Sequence, residues 1–269
     1  MPLISVVTVT RNAEKTIERT IDSVLQQSGA DFEYIVVDGG STDATLEIVG
    51  RHEAKIDYWI SEPDGGIFDA MNKGISLARG RYIGILNADD RYLPGALGLV
   101  AEKSRSIFGG VIYGDYIFSA ADAGVEFPVR ASLDLWKGMT LGHPAMFVSA
   151  ATYQNIGLYE PHLRFAGDLD FSLRALKSGI VFNRIEQPLA IFENGGTAEQ
   201  HLTTASIEAA GVIRRHAGAI QTLPFLGRFA QRLASRNALS MSRAIFGTRA
   251  YLSLKRKYYL RMPGATLVQ

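Results

Sequence analysis

Asn87, Asp89 and Asp90 place three oxygen-bearing side chains directly after the apolar run Tyr82-Ile83-Gly84-Ile85-Leu86. The run reads as a buried strand of a parallel sheet. Such a sheet carries its ligands just beyond the carboxyl ends of its strands. Hard cations such as Mg²⁺ and Mn²⁺ take oxygen ligands and commonly hold phosphates. Carboxylates clustered at a strand end therefore suggest a metal-assisted phosphate leaving group. The other reading is that Asp89 or Asp90 caps the helix announced by Pro94.

Further polar groups fall at other strand ends, and the elements that position them alternate. Residues 3–9 form an apolar, β-branched run that ends on Arg11-Asn12, followed by a helical stretch with Ile17, Ile21, Val24 and Leu25 on its apolar side. Residues 32–37 are the next strand and close on Asp38-Gly39-Gly40. Ser41 is expected to cap a helix through about Val49. Residues 57–60 start a third strand, and the loop Glu62-Pro63-Asp64-Gly65-Gly66 leads into a helix over 68–78 that carries Asp69 and is stopped by Gly80. This order predicts an α/β fold, a mostly parallel sheet with helices on both faces. Neither GxGxxG nor GxxxxGK[ST] occurs, so a nucleotide would be held by carboxylates on base, ribose and metal.

The middle of the chain is less regular. Residues 111–113, 116–118 and 125–129 read as strands, the last two joined as a hairpin, and 145–148 as another. Residues 168–177 are helical, with Phe171, Leu173 and Leu176 as apolar positions and Gly179 as the stop. Helices dominate from about Thr203. A boundary near Thr222-Leu223-Pro224 separates a body, 1–222, from a basic, mainly helical extension, 223–269.

With 269 residues and 47% hydrophobic composition the chain can bury a proper core. It has no cysteine, which excludes disulfides and thiolate chemistry. No apolar run approaches the length of a membrane span, and the start enters a strand without a basic leader, so a cytosolic compartment is the expectation. The charge is strongly polarised. Up to Glu208 the chain carries 27 acidic and 17 basic residues; beyond it come eleven basic residues and no acidic one.

Four pieces, in order, carry a resemblance: ISVVTVTRN (4–12), YIVVDGGSTDAT (34–45), SEPDGGIFDAMNKGISLARGRYIGILNADD (61–90) and GDLDFSLR (167–174). Together they resemble the family 2 glycosyltransferases of the GT-A fold, most of all the bacterial subgroup that builds exopolysaccharide, capsule and O-antigen repeats. The resemblance spans about the first two thirds of the chain and stops before the basic extension. It implies an inverting transfer of one sugar from a nucleoside-diphosphate donor, UDP-linked by preference, to a glycan or polyprenyl-linked acceptor. It also implies Mn²⁺ or Mg²⁺ as cofactor.

Residue by residue, the resemblance makes Asp38 the acceptor for the base, against the alternative of a helix cap. It places Thr10 and Arg11 beside the base, Arg11 being equally readable as a solvated strand-end residue. Asp64, Asp69, Asn72 and Lys73 line the donor; Lys73 would approach the diphosphate, or simply lie on the surface. The family's DxD motif is matched by Asn87-Ala88-Asp89, with Asn in place of the first Asp. That leaves Asp89 for the metal, supported by Asp90. Asp168 matches the catalytic base, although Gly167 stands where the family often has an acidic residue, and Asp170 would anchor the helix start. His143 is left out of catalysis. Asn194-Gly195-Gly196-Thr197 resembles a loop that closes over the donor, from which His201 would reach the metal. The QxxRW signature of processive members is absent.

Two alternatives stand beside this reading: a nucleotidyltransferase, which would bring a Gly-rich, Lys-containing first loop, and a non-catalytic nucleotide-sugar-binding relative. In the extension, Tyr251, Leu252, Leu254, Tyr258, Tyr259 and Leu260 interleave with Lys255-Arg256-Lys257. Such a pattern suits an anionic membrane surface, which would make the protein peripheral on the inner face of the plasma membrane. Packing against the acidic body is the other option; no nucleic-acid module accompanies the charge. Because every donor motif precedes Pro224, removal of the extension is expected to leave the nucleotide site intact.

Overall fold

The computed structural model describes residues 1–267; Val268 and Gln269, the end of the expected extension, lie outside the described residues, as do the side chains at 197, 198, 240, 242, 244–247 and 250. The first half alternates as expected: β1 (Ile4–Thr10), α1 (Ile17–Leu25), β2 (Phe32–Asp38), α2 (Thr45–Arg51), β3 (Tyr58–Ser61), α3 (Ile67–Leu77) and β4 (Tyr82–Asn87). After the short β5 (Arg91–Tyr92) come α4 (Ala96–Ser104), β6 (Val111–Ala120), β7 (Val125–Val129), β8 (Met146–Ser149), α5 (Ala150–Ile156) and α6 (Gly167–Lys177). The chain ends with β9 (Phe182–Glu193), α7 (Thr197–Gln200), α8 (Leu202–Ala217), α9 (Ala219–Tyr259) and β10 (Thr266–Leu267).

Among the described residues one mixed sheet runs β10-β7-β6-β8-β4-β1-β2-β3, with β9 pairing to β5 and β6. Its central strands β4, β1, β2 and β3 are parallel. A strand buried on both faces must be apolar in both alternating sets, and β1 is: Ile4 and Val6 join the core under α1, α2 and α4, while Val7 and Val9 join the core under α3, α5 and α6. Helices thus cover both faces, and the parallel strands all deliver their carboxyl ends to one edge.

Several local expectations change. Ser41 does not cap a helix: α2 begins at Thr45, whose amide is taken by Asp43 Oδ1 at 3.0 Å, while Ser41 Oγ accepts from the Asn12 amide at 2.8 Å. Asp89 and Asp90 do not cap the next helix, because α4 starts at Ala96 behind a left-handed Gly95. The strands expected at 111–113 and 116–118 form one strand, β6, whose pairing with β9 shifts around Gly114 and Asp115. β9 itself was not expected; Pro188 and the charged residues Arg184 and Glu186 mask its apolar alternation.

The C-terminal helices α7–α9 form a distinct helical extension. α9 runs through Leu223 and Pro224 without interruption and returns to the body. Tyr259 packs on Phe118 and Phe127 with ring centroids 5.8 and 6.1 Å away, Lys255 pairs with Asp122 at 2.5 Å, and β10 pairs antiparallel with β7. Arg232 meets Glu199. No helix among the described residues is long and apolar enough to cross a membrane.

β4 needs a glycine to reach its place. A Cβ on Gly84 would lie 2.5 Å from the Phe147 ring and 2.7 Å from Tyr92 Oη, two rings that stack at 5.6 Å against the strand. Gly84→Ala is therefore expected to cost about 1–3 kcal/mol by overpacking. The check is the denaturant midpoint, which should fall at constant m-value; an unchanged midpoint would mean that the two rings yield freely.

Candidate active site

The ends of β1, β2 and β4 lie side by side, with Thr10 in register with Asp38 and Val9 with Asn87. Two polar atoms here are buried without a protein partner, Thr10 Oγ1 and Asn87 Oδ1. Buried polar atoms are almost always paired, so unpaired ones at a strand edge mark a place for a ligand. After β4 the Asp90 amide donates to Asn87 O at 3.0 Å, folding Asn87-Ala88-Asp89-Asp90 into a tight turn with Ala88 buried.

The turn separates its two carboxyls. Asp90 points into the protein, where it is 1% exposed and its Oδ1 accepts the Glu193 amide at 3.0 Å. Burial, and then the charge of Asp89, push its carboxyl well above the usual range. Asp90 thus holds the end of β9 in place. Asp89 stays half-buried near the loop after β9, where a Cβ on Gly196 would lie 3.5 Å from its Oδ2. Burial raises its pKa as well, offset only in part by a bond from its own backbone amide and by the charge of Arg19. The glycine pair of Asn194-Gly195-Gly196 lets the loop approach, and α9 braces it from outside: Asn194 Nδ2 donates to Tyr259 Oη at 3.2 Å, and Arg236 donates to Glu199 O at 3.1 Å. His201 is exposed and lies against the Phe165 ring, 5.7 Å between centroids.

The residues expected around the base divide into occupied and free groups. Asp38 is fully buried; its Oδ2 accepts from the amides of Gly40 and Ser41 and from Ser61 Oγ, and its Oδ1 accepts from Ser41 Oγ. Lys73 binds Glu62 at 2.8 Å and Pro63 O at 3.1 Å, while Asp69 Oδ2 accepts the Gly65 amide at 3.0 Å. Both therefore order the loop that carries Asp64. They also line a groove of about 410 Å³ together with Ile60, Glu62, Asn72, Ser76 and Leu77. Arg11 is exposed. Asn72 ties α3 to the segment before α6, donating to Tyr159 O at 2.8 Å and accepting from its amide at 3.0 Å.

Asp168 lies in the first turn of α6. Gly167 has a steric reason: a Cβ there would lie 2.8 Å from the Phe68 ring. The preceding segment is held by a residue that sequence reasoning missed. Glu208 of α8 accepts the amides of Arg164, Phe165 and Ala166 at 2.7–3.1 Å. Although Asp168 keeps some exposure, burial of its carboxyl outweighs the Leu169 amide bond and pushes its pKa up to about 6, with the Glu208 charge acting the same way. Asp170 is different. Burial would raise it, but bonds from His216 Nε2 and Arg174 Nε, both at 2.8 Å, hold its carboxyl below the usual range. Asp170 thus ties α6 to α8 and does not cap the helix start as expected. His143 is buried with Nδ1 unpartnered, and burial lowers its pKa to about 4.

Among the described residues no three His, Cys, Asp or Glu side chains converge as a metal cluster. A cation at this edge would rest on Asp89, with Asn87 beside it, and would need oxygens from a bound phosphate. The donor set fits a hard cation: one desolvated carboxylate and one unpartnered amide oxygen.

The family model described as glycosyl transferase family 2 matches residues 5–132. An uncharacterized glycosyltransferase of Mycobacterium tuberculosis is 32% identical over 180 residues, 65% of this chain and 69% of that protein. A PGL/p-HBAD biosynthesis glycosyltransferase of Mycobacterium bovis is 29% identical over 194 residues, 68% of this chain and 73% of that protein. Among solved structures, S. aureus TarS 1–349 in complex with UDP-GlcNAc superposes with a TM-score of 0.63 at 19% identity, covering 84% of this chain and 72% of that one. The chain spans 43% of the longer TarS structure. The mannosyltransferase PcManGT of Pyrobaculum calidifontis, in complex with GDP-Man and Mn²⁺, superposes with a TM-score of 0.58 at 16% identity, covering 97% and 87%.

The two aspartates of α6 should respond oppositely to loss of charge. Asp170→Asn breaks a buried, bonded ion pair and is expected to cost about 3 kcal/mol at pH 7. Because the folded carboxyl titrates below the usual range, that contribution is present above the unfolded pKa and fades as pH falls through the folded one. The variant and wild type should thus converge in acid. Asp168→Asn removes a carboxylate that is unfavourable once ionised, so above about pH 6 it should be at least as stable as wild type, the difference closing toward pH 4. Denaturation curves across pH measure both, and a parallel response of the two variants would refute the distinction.

Proposed function

The chain belongs to the family 2 glycosyltransferases, and on that premise we propose that it transfers one sugar, with inversion, from a UDP-linked donor to a hydroxyl of a glycan or polyprenyl-linked acceptor in cell-surface polysaccharide synthesis. The observation that carries the reading is Asp168, whose carboxyl in the first turn of α6 is pushed up to about 6 by burial, with the Glu208 charge acting the same way. Thr10, Arg11, Asp64 and Asn87 would take the nucleotide, and Asp89 with Ala88 the turn against the diphosphate. Residues 1–222 are taken as the catalytic domain. The names of the relatives support the setting: one acts in PGL/p-HBAD biosynthesis, and TarS is seen with UDP-GlcNAc.

In the reaction, the acceptor hydroxyl oxygen forms a bond to the anomeric carbon as the bond to the diphosphate breaks from the opposite face. The electron pair leaves with UDP, and the hydroxyl proton passes to Asp168, ionised above about pH 6. Asp38 and Asp69 act indirectly, by fixing the turn and loop around the nucleotide, and Lys73 fixes that loop from below. A Mn²⁺ or Mg²⁺ held at Asp89 would, when bound, neutralise charge on the departing diphosphate, a reading supported by the Mn²⁺ of PcManGT.

A panel of UDP-, GDP- and dTDP-sugars with Mn²⁺, read by thermal shift, tests the donor. With the stabilising donor, Asp168→Asn should retain donor affinity and lose at least about 100-fold in turnover. Asp89→Asn should instead weaken Mn²⁺-dependent UDP binding. Turnover of the Asp168 variant within a few-fold of wild type would place the base elsewhere. Unchanged metal-dependent affinity of the Asp89 variant would remove the cation from that residue.

The basic residues left exposed after α9 docks are read as a contact with anionic lipid at the inner face of the plasma membrane. Arg249, Arg256, Lys257 and Arg261 are all exposed. Each contributes about 1 kcal/mol near such a surface before screening. Changing these four to Gln should abolish sedimentation with phosphatidylserine vesicles in low salt while leaving UDP affinity unchanged. Truncation at Leu223 is a different experiment, because it also removes Tyr259 and Arg236 from the loop beside Asp89, so donor affinity should fall. Equal vesicle binding by the four-fold variant and wild type would sink the membrane reading.

A further inference from the structure

His143 is a buried titratable group that the proposed reaction leaves unused. It is 7% exposed, and its Nδ1 is sealed from solvent without a hydrogen-bond partner. Nε2 makes no hydrogen bond among the described residues either, but it is not sealed. Buried polar atoms without a partner are rare because they lose their bonds to water and gain nothing in return. An apolar side chain would line the same wall without that cost. Burial also lowers the pKa of the imidazole to about 4, so near pH 7 the ring is neutral and only one nitrogen carries a proton. An unpaired lone pair is less costly to bury than an unpaired N–H. The sealed Nδ1 is therefore the bare nitrogen, and Nε2–H is left as a free donor.

The fold sets this donor between the two halves of the site. His143 opens the 3₁₀ turn His143–Ala145 that leads into β8. β8 runs antiparallel to β4 with Gly84 opposite Phe147, so the turn before β8 lies beside the end of β4, where the Asp89 turn begins. Gly142 seats it, since a Cβ there would lie 2.4 Å from the Tyr116 ring. On its other side the imidazole lies against Tyr159, with ring centroids 6.3 Å apart. Tyr159 packs on Phe68 and Phe171 at 5.5 and 5.1 Å, and its hydroxyl is near enough to Asp168 to feel that charge. His143 thus stands between the turn that carries Asp89 and the start of α6 that carries Asp168.

We infer that His143 Nε2 donates to a hydroxyl oxygen of the sugar being transferred, and that this bond helps to choose the sugar. This deepens the reading of the site as one for a nucleoside-diphosphate sugar and rests on it. In that reading the sugar is bonded to the diphosphate at the Asp89 turn and offers its anomeric carbon to the acceptor that Asp168 deprotonates. The ring therefore occupies the interval that His143 borders. A neutral imidazole suits the task, because it supplies one donor for one oxygen and adds no charge beside the departing diphosphate. A sugar that places no oxygen in reach leaves Nε2–H buried and unpaired, which is how a site built around a hydroxyl rejects analogues that lack it.

The test is calorimetric titration of the full chain in Mn²⁺ with UDP, UDP-glucose, UDP-galactose and UDP-GlcNAc, whose sugars present different polar groups. Wild type should rank the three sugars, and equal affinity for all of them would overturn the selective role. His143→Phe keeps an aromatic ring against Tyr159 and removes the donor. It should lower affinity for the tightest-binding UDP-sugar about 10-fold, narrow the spread among the three and leave UDP affinity unchanged. His143→Gln, which restores an N–H donor, should recover part of the loss. His143→Leu serves if the larger ring does not fold. A ratio of UDP-sugar to UDP affinity that His143→Phe leaves unchanged overturns the inference, whether both affinities fall together, as a structural role requires, or neither moves. Failure of wild type to bind UDP itself would instead strike the donor-site reading.

Discussion

The amide of Glu193 donates to the buried carboxyl of Asp90 across 103 residues of sequence. That bond joins the end of β9 to the turn after β4, and much of the site is arranged around it. Glu193 is fixed further by Ser119 Oγ at 3.0 Å and faces Arg91 at 3.6 Å. The following residues, Asn194-Gly195-Gly196, are thereby set down beside Asp89. Burying a carboxyl is costly unless it is protonated or well bonded. Burial and the neighbouring carboxyl of Asp89 raise the pKa of Asp90, and the backbone amide it accepts offsets part of that cost.

The chain's aspartates sort by whether their oxygens are already used. Asp38 and Asp170 are surrounded by donors and serve as struts, the first of a turn and the second between α6 and α8. Asp89 and Asp168 are desolvated without comparable compensation, and Asp64 keeps an oxygen free. A fold optimised for stability alone would not leave these groups so poorly served, which is the ordinary signature of residues retained for ligands or chemistry. Burial and motif position do not separate the two classes; Asp38 is the most buried of all. The hydrogen-bond inventory does.

The polarity of the chain, acidic body and basic end, is divided between two uses by the same geometry. Arg232, Arg236 and Lys255 face the body and meet Glu199 or Asp122, so part of the asymmetry is internal attraction. Tyr259 adds an aromatic contact with Phe118 and Phe127 and reaches Asn194. The remaining arginines stay exposed along α9. α9 consequently acts on the loop beside Asp89 from a distance of some sixty residues in sequence, a coupling no local motif announces.

What the sequence determined by itself was local and periodic. The apolar runs at 3–9, 32–37 and 82–86 read as strands, and their alternation with helices pointed to a parallel central sheet, found as β1, β2 and β4. That alone brought Thr10, Asp38 and Asn87 to one edge, because parallel strands end together. β9 escaped notice, since a strand whose partners are β5 and β6 needs no alternation of its own to be held. Only the tertiary structure decided which carboxylates are free. Glu208 braces the approach to Asp168 from a helix some forty residues away, and Asp64 enters the space over Gly39 from a different loop. Desolvation and hydrogen-bond saturation are properties of the surroundings, and those surroundings come from chain segments that are neighbours only after folding.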